Sequence, residues 1–186
     1  MRTAMTMMAL TLLAGCNRSP TIEATNATQA EVANQMAAAG GAESFVRPGK
    51  WATTVSIDAM DAPGIPPEAA ARMKAFSAKG HTVETCLTPE EAKKPSPAML
   101  GGNNDQCRYD HFKLGDGKID VLMRCSGAGP QKTASQVMKM TGAFDDNSYH
   151  MAMESVSGAG SAGAMSMKMH LDAKRVGECD AKKAAG

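Results

Sequence analysis

Over much of the second half of the chain, apolar residues recur at every second position. From Cys107 to Cys125 two alternating runs flank Gly115-Asp116-Gly117, and glycines there allow the positive φ that a tight hairpin needs. Folding this stretch about Asp116 predicts one face carrying Cys107, Tyr109, His111, Ile119, Val121, Met123 and Cys125. Lys118, Asp120 and Arg124 then point the other way. A second hairpin is predicted from Lys132 to Phe144 and from Tyr149 to Val156, turned at Asp145-Asp146-Asn147. Met165 to Ala173 alternates in the same manner, with Met165, Met167, Met169 and Leu171 inward and Ser166, Lys168, His170 and Asp172 outward. A period of two with one wet face is the mark of antiparallel strands.

Upstream, the turn at Pro48-Gly49 leads into a strand from Trp51 to Ile57, with Trp51, Thr53, Val55 and Ile57 on one face. Glu68 to Lys79 reads as a helix with Pro67 in its first turn, Met73 and Phe76 three apart, and Gly80 as its stop. It is expected to cover one face of the sheet. His81 to Leu87 reads as another strand, and Thr88-Pro89-Glu90-Glu91 is a capping box whose helix stops before Pro95. Together these elements predict a mainly β fold: about seven antiparallel strands in a curled meander or two-layer sheet, with one or two short helices.

The segment before Phe45 has a different composition. From Asn17 to Glu43 it is Ala, Thr, Asn, Gln, Ser and Gly with almost no aromatic or branched apolar residue, which predicts a tether rather than a core. Gln29 to Ala39 favours helix, but eleven residues alone are marginal in water. The Gly/Ser/Ala run from Gly158 to Gly163 is expected to be a flexible loop, and residues 181–186 a loose tail.

At the amino end, Met1-Arg2 supplies a charge, Ala4 to Leu13 a mostly apolar run, and Leu13-Ala14-Gly15-Cys16 follows directly. Roughly ten apolar residues are too few to span a bilayer core of about 30 Å, so the run reads as a signal-peptide core. The Leu-Ala-Gly-Cys ending resembles the lipobox of bacterial lipoprotein precursors. That resemblance implies cleavage after residue 15 and a diacylglycerol and N-acyl lipid on Cys16, with no other cofactor. It also implies a place on the periplasmic side of the cell envelope, and Asn17, in place of Asp, implies the outer membrane. The expected organisation is a leader over 1–15, a lipidated cysteine and tether over 16–44, a disulfide-containing β domain over 45–180 and a tail over 181–186. Membrane association then runs through the lipid, without a transmembrane helix.

Removal of Arg2 with the leader leaves equal numbers of basic and acidic residues. Without net charge or a basic cluster there is no electrostatic footprint for nucleic acid. With Cys16 taken by lipid, Cys86, Cys107, Cys125 and Cys179 remain, an even number that in an exported chain reads as two disulfides. A four-thiolate zinc site would call for paired Cys-x-x-Cys knuckles, and these cysteines are far apart in sequence. Three pairings are open.

No nucleophile elbow, zinc-helix motif or phosphate loop occurs. His81, His111, His150 and His170 fall singly on strands, with His111 alone on an inward face. The chain is therefore not expected to be an enzyme, and no catalytic residue or metal ligand is assigned. Methionine is the unusual feature. Twelve of the sixteen lie beyond the leader, and seven cluster as Met138 with Met140, Met151 with Met153, and Met165 with Met167 and Met169. On a strand each Met-x-Met puts two thioethers on one face, about 7 Å apart. Three readings follow: Met as adaptable core filler, a Met-lined pocket for a small apolar ligand of acyl-chain type, and a soft patch for Cu(I).

One ordered set of short motifs remains: Pro48-Gly-x-Trp51, Cys86-Leu-Thr-Pro-Glu90, Cys107 and the Gly-Asp-Gly hairpin to Cys125-Ser-Gly127, Thr141-Gly-x-Phe144 with Ser148-Tyr149, and Gly177-Glu-Cys179. In this order they resemble the proteobacterial family called domain of unknown function 3617, over roughly Phe45 to Asp180. The resemblance implies a small exported domain with paired cysteines and no assigned activity. Family spacing allows Cys86 with Cys107 and Cys125 with Cys179, while Cys107 with Cys125 stays open on parity grounds. The first functional expectation is an envelope interaction or structural domain, with an envelope protein as partner. An apolar-ligand binder is the alternative, and Cu(I) binding the third.

Overall fold

The computed structural model describes residues 20–77, 80–94, 106–126, 135–158 and 164–179. The expected leader, Cys16, the core of the 158–163 loop and the 181–186 tail lie outside the described residues. Eight strands form one antiparallel sheet in the order β1-β4-β5-β6-β7-β8-β2-β3. They are β1 (Ile22–Thr28), β2 (Gly49–Asp61), β3 (His81–Leu87), β4 (Cys107–Gly115), β5 (Lys118–Ser126), β6 (Ser135–Phe144), β7 (Ser148–Ser157) and β8 (Met165–Gly177). Helices α1 (Gln29–Ala38), α2 (Pro67–Ser77) and α3 (Pro89–Lys93) and a 3-10 turn at Ala42–Ser44 complete the described elements. The mainly β expectation holds, as a curled single sheet. Among the described residues no helix is long and apolar enough to cross a membrane.

The β4-β5 hairpin closes where the glycines predict. Asp116 and Gly117 take φ of 49° and 69°, and positive φ at both central residues is the two-residue turn whose twist matches the strands. The inner face departs from simple alternation, however. The β4-β5 register shifts between Tyr109 and His111, so Asp110 is an extra, bulged residue, ion-paired to Arg124 on the wet face. Beyond the bulge the parity flips. Phe112 and Leu114 are buried, while His111, expected inward, turns out and meets Asp120 at 2.9 Å.

The largest correction concerns the expected tether. Ile22–Thr28 pairs with β4 along its length, so the domain starts well before residue 45. Thr28 then caps α1: its hydroxyl accepts the Glu31 backbone N–H at 3.1 Å, and its own N–H donates to the Glu31 carboxylate at 2.7 Å. These bonds from Thr28 hold the Glu31 carboxyl below its usual range. The same reciprocal box, predicted at Thr88 and Glu91, caps α3. Because β1 lies at one edge of the sheet and β2 next to the other, the chain between them must cross the concave face. It deposits Val32, Met36, Ala42 and Phe45 there, all buried. Each large apolar side chain so buried contributes roughly 1.5–3 kcal/mol.

Helix α1 therefore covers the sheet, the role expected of α2. Helix α2 is largely exposed over its described side chains, with Met73 41% accessible. At the far edge α3 reaches back to the 3-10 turn. Gly41, at φ 79°, passes so close that a Cβ would stand 2.3 Å from the Ala92 carbonyl oxygen, so only glycine fits.

The cysteines pair as Cys107 with Cys125 and Cys86 with Cys179, which overturns the pairing implied by family spacing. Register explains the first bridge: Cys107 and Cys125 stand directly opposite at the open end of the β4-β5 hairpin. The second ties the end of edge strand β3 to the chain leaving β8, because β2 pairs with both strands. Loops of 18 and 93 residues correspond to stabilisation of about 3 and about 4.5 kcal/mol by chain entropy. Non-reducing peptide mapping should recover these two linkages, and Cys86→Ser/Cys179→Ser should lower unfolding free energy by about 2–5 kcal/mol in denaturant. A peptide joining Cys86 to Cys107 would contradict the topology.

Candidate functional site

Between the α1 connector and the curled sheet lies a cavity of about 500 Å³. Its wall is laid down by cross-strand register. Met123 stands opposite Met138, Val121 opposite Met140, Met140 opposite Met153, and Met151 opposite Leu171. Gly142 falls between Ile119 and Met151 in this inner face. The connector contributes Met36, Ala42, Phe45 and Val46. Phe45 meets the Phe144 ring edge-on at 5.9 Å, and Tyr109 meets Phe112 at 5.3 Å.

The lining residues carry no charge. Polar character enters only at its margins. Buried Gln29 donates through Nε2 to the Met123 sulfur at 3.6 Å. The Tyr149 hydroxyl is 3.1 Å from Thr53 Oγ1, its ring stacked on Trp51 at 5.6 Å. Burial pushes the Tyr109 phenol up to about 12. The two ends of the cavity differ. Beside α1, Tyr109, Phe112, Val121 and Met123 are buried, whereas Met138, Met140, Met151, Met153 and Leu171 are half-buried. The wall on β6, β7 and β8 is thus the side that solvent reaches, and its exposed lining is thioether and leucine.

Of the seven methionines singled out from the sequence, Met138, Met140, Met151 and Met153 line the cavity together. Met165, Met167 and Met169 share the inner face by register, opposite Ser157, Ser155 and Met153, yet lie outside the lining, and Met165 is 45% exposed. Met36 and Phe45 are among the lining residues that sequence reading did not assign to the site, and Met36 comes from the segment expected to be a tether. The readable signal was Thr28-x-x-Glu31 followed by Val32 and Met36, four apart on one helix face. The histidines also differ from expectation: His150 and His170 are brought side by side, ring centroids 6.3 Å apart.

A family model described as "Protein of unknown function (DUF3617)" matches residues 46–179. The chain belongs to the DUF3617 family. No curated protein and no solved structure matches it. In this DUF3617 chain the family match covers the cavity's sheet wall, while Met36, Ala42 and Phe45, which line the cavity from the connector, precede it.

The buried phenol yields a pH prediction. The folded state resists ionising Tyr109 until about 12, whereas the unfolded chain ionises near 10. Its contribution is complete below pH 10 and lost as pH rises through that window. Alkaline denaturation should be less steep between pH 10 and 12 in Tyr109→Phe than in the parent, and tyrosinate absorbance should show a step near 12 that the variant lacks.

Proposed function

We propose that this domain is a membrane-anchored envelope protein that takes up a small apolar molecule of acyl-chain type in its methionine-lined cavity. The observation that carries the reading is the cavity itself: about 500 Å³, uncharged, and open on its thioether side. Ligand sites occupy about 300–1,000 Å³ and are predominantly apolar with a few polar groups. A purely structural or interaction domain would be served by a packed interior at crystal-like density. Methionine suits the wall because its unbranched side chain adapts to differently shaped hydrocarbon. The anchoring half of the proposal rests on the lipobox ending at Cys16, with the periplasmic face of the outer membrane as the expected location.

One preparation tests both halves. Protein purified from membranes of cells fed labelled palmitate should carry label, and Cys16→Ser should not. Native mass spectrometry should find an apolar molecule on the parent that is lost in Met153→Trp, which fills the cavity. A fluorescent fatty-acid probe should bind the parent at least about tenfold more tightly than the variant, since a cost of about 1.4 kcal/mol is tenfold. Equal probe binding by the two, or none by either, would refute the cavity reading.

Register favours a second reading, Cu(I) held by thioethers. Met140, Met153 and Met169 stand side by side on β6, β7 and β8, and thioether sulfur selects Cu(I) over harder ions. In competition against a Cu(I) chelator, the parent should retain the ion at chelator concentrations that strip Met153→Leu. Equally poor retention by parent and Met151→Leu/Met153→Leu removes this reading.

A further inference from the structure

On the opposite, wet face of the sheet, β7, β8 and β2 bring together four groups that the cavity does not use. His150 pairs across β7 and β8 with Asp172, and His170 lies two residues before Asp172 on the same face. The two imidazoles are therefore diagonal neighbours, 6.3 Å between centroids and tilted by 37°. His150 Nδ1 is hydrogen-bonded to Asp172. His170 Nδ1 is hydrogen-bonded to Asp58 at 2.8 Å. Asp58 can reach it because the β2-β8 register shifts between Ile57 and Ala59, leaving Asp58 as an unpaired residue beside His170.

The repeated detail matters chemically. An imidazole that donates Nδ1–H to a carboxylate carries its free lone pair on Nε2 and is held in orientation, the arrangement in which metal-ligating histidines are normally found. Two imidazoles, each with Nδ1 against a carboxylate as that arrangement requires, stand next to each other here. The Asp172 carboxylate adjoins both, its second oxygen 3.8 Å from His170 Nε2. The His150 and Asp172 side chains also line an open groove of about 510 Å³ with Thr54, Ser148 and Lys174, room for water or a small co-ligand.

We infer that His150 and His170 form a two-imidazole site for a late first-row divalent cation, of the Cu(II), Ni(II) or Zn(II) class, with Asp58 and Asp172 as the carboxylates that position the rings. Imidazole nitrogen suits these ions, and Cu(II) stands highest among them in intrinsic affinity. Among the described residues no group of three or more His, Cys, Asp or Glu is arranged to hold an ion alone. The protein therefore supplies two ligands and solvent supplies the rest, an exchangeable site rather than a structural one. Lys168 and Lys174 flank it on β8, but Lys168 is engaged by Glu154 at 3.0 Å. Asp58, His150, His170 and Asp172 are not in the cavity lining, and the two histidines lie on the other face of the same strands.

The test titrates the full-length protein with Cu(II), without reductant, and reads electron paramagnetic resonance. One ion per chain should appear with hyperfine structure from two nitrogens. His170→Gln should leave one nitrogen, and His150→Gln/His170→Gln should leave none. Asp58→Asn should keep both nitrogens while weakening affinity about 10- to 100-fold, the usual effect of removing an outer carboxylate. Met153→Leu should keep the two-nitrogen Cu(II) spectrum, whatever it does to Cu(I) retention, separating this site from any thioether-bound copper. A second readout needs no variant: Zn(II) added to the parent should shift the imidazole resonances of His150 and His170 and not those of His81. Unchanged Cu(II) binding by the double variant, or absence of those Zn(II) shifts, would overturn the inference.

Discussion

The connector from β1 to β2 sets the terms for the rest of the molecule. Strand β1 hydrogen-bonds at one edge of the sheet and β2 sits next to the opposite edge, so some twenty residues must pass over the concave face. A backbone there needs its own hydrogen bonds, since buried polar groups left unpaired are costly. A capped helix and a 3-10 turn satisfy them while offering Val32, Met36, Ala42 and Phe45 to the sheet. Where these side chains meet β4 and β5 the interior is closed. Over β6, Phe45 meets Phe144 edge-on, and the space left between the connector and the methionines of β6 and β7 is the cavity.

That division accounts for the uneven use of methionine. Against α1, a single thioether, Met123, is fully packed and accepts a hydrogen bond from Gln29. Along the open wall, Met138, Met140, Met151 and Met153 are only half-buried. Branched residues would be stiffer in such a position. Three-torsion thioethers conform to whatever enters. The disulfides brace the sheet away from this wall. One closes the β4-β5 hairpin beneath the connector, and the other fastens edge strand β3 to the end of β8. Neither constrains the middle of β6 or β7.

The two faces of these strands do different chemistry because side chains alternate with period two. Methionine and leucine go inward from β7 and β8, and His150, His170 and Asp172 go outward. One ladder thereby positions both an apolar cavity and a pair of carboxylate-held imidazoles. A one-residue slip would exchange the two sets, so the register that Asp145 helps set in the β6-β7 turn, by accepting from the Asn147 and Ser148 N–H groups, matters to both.

Much of this was local and hence legible in the sequence. Alternation, the Gly-Asp-Gly turn and the Thr88 capping box each depend on residues within a few positions of one another, and the strands, the turn and the capped helix they predict are present. The four cavity methionines were likewise visible as Met-x-Met pairs. What depended on distant partners was not legible. Strand β1 is too polar to announce itself, and becomes a strand because β4 presents an unpaired edge. The Asp110 bulge, which turns His111 out and Phe112 in, follows from how β4 fits β5 and a helix. Which cysteines join, and that His150 and His170 are neighbours, follow from strand order. Sequence alone determined the strands and their two-faced character, because these are contests between neighbouring residues and solvent. Tertiary structure decided the bridges, the cavity and the histidine pair, because each is a distance between segments that only the finished ladder brings together.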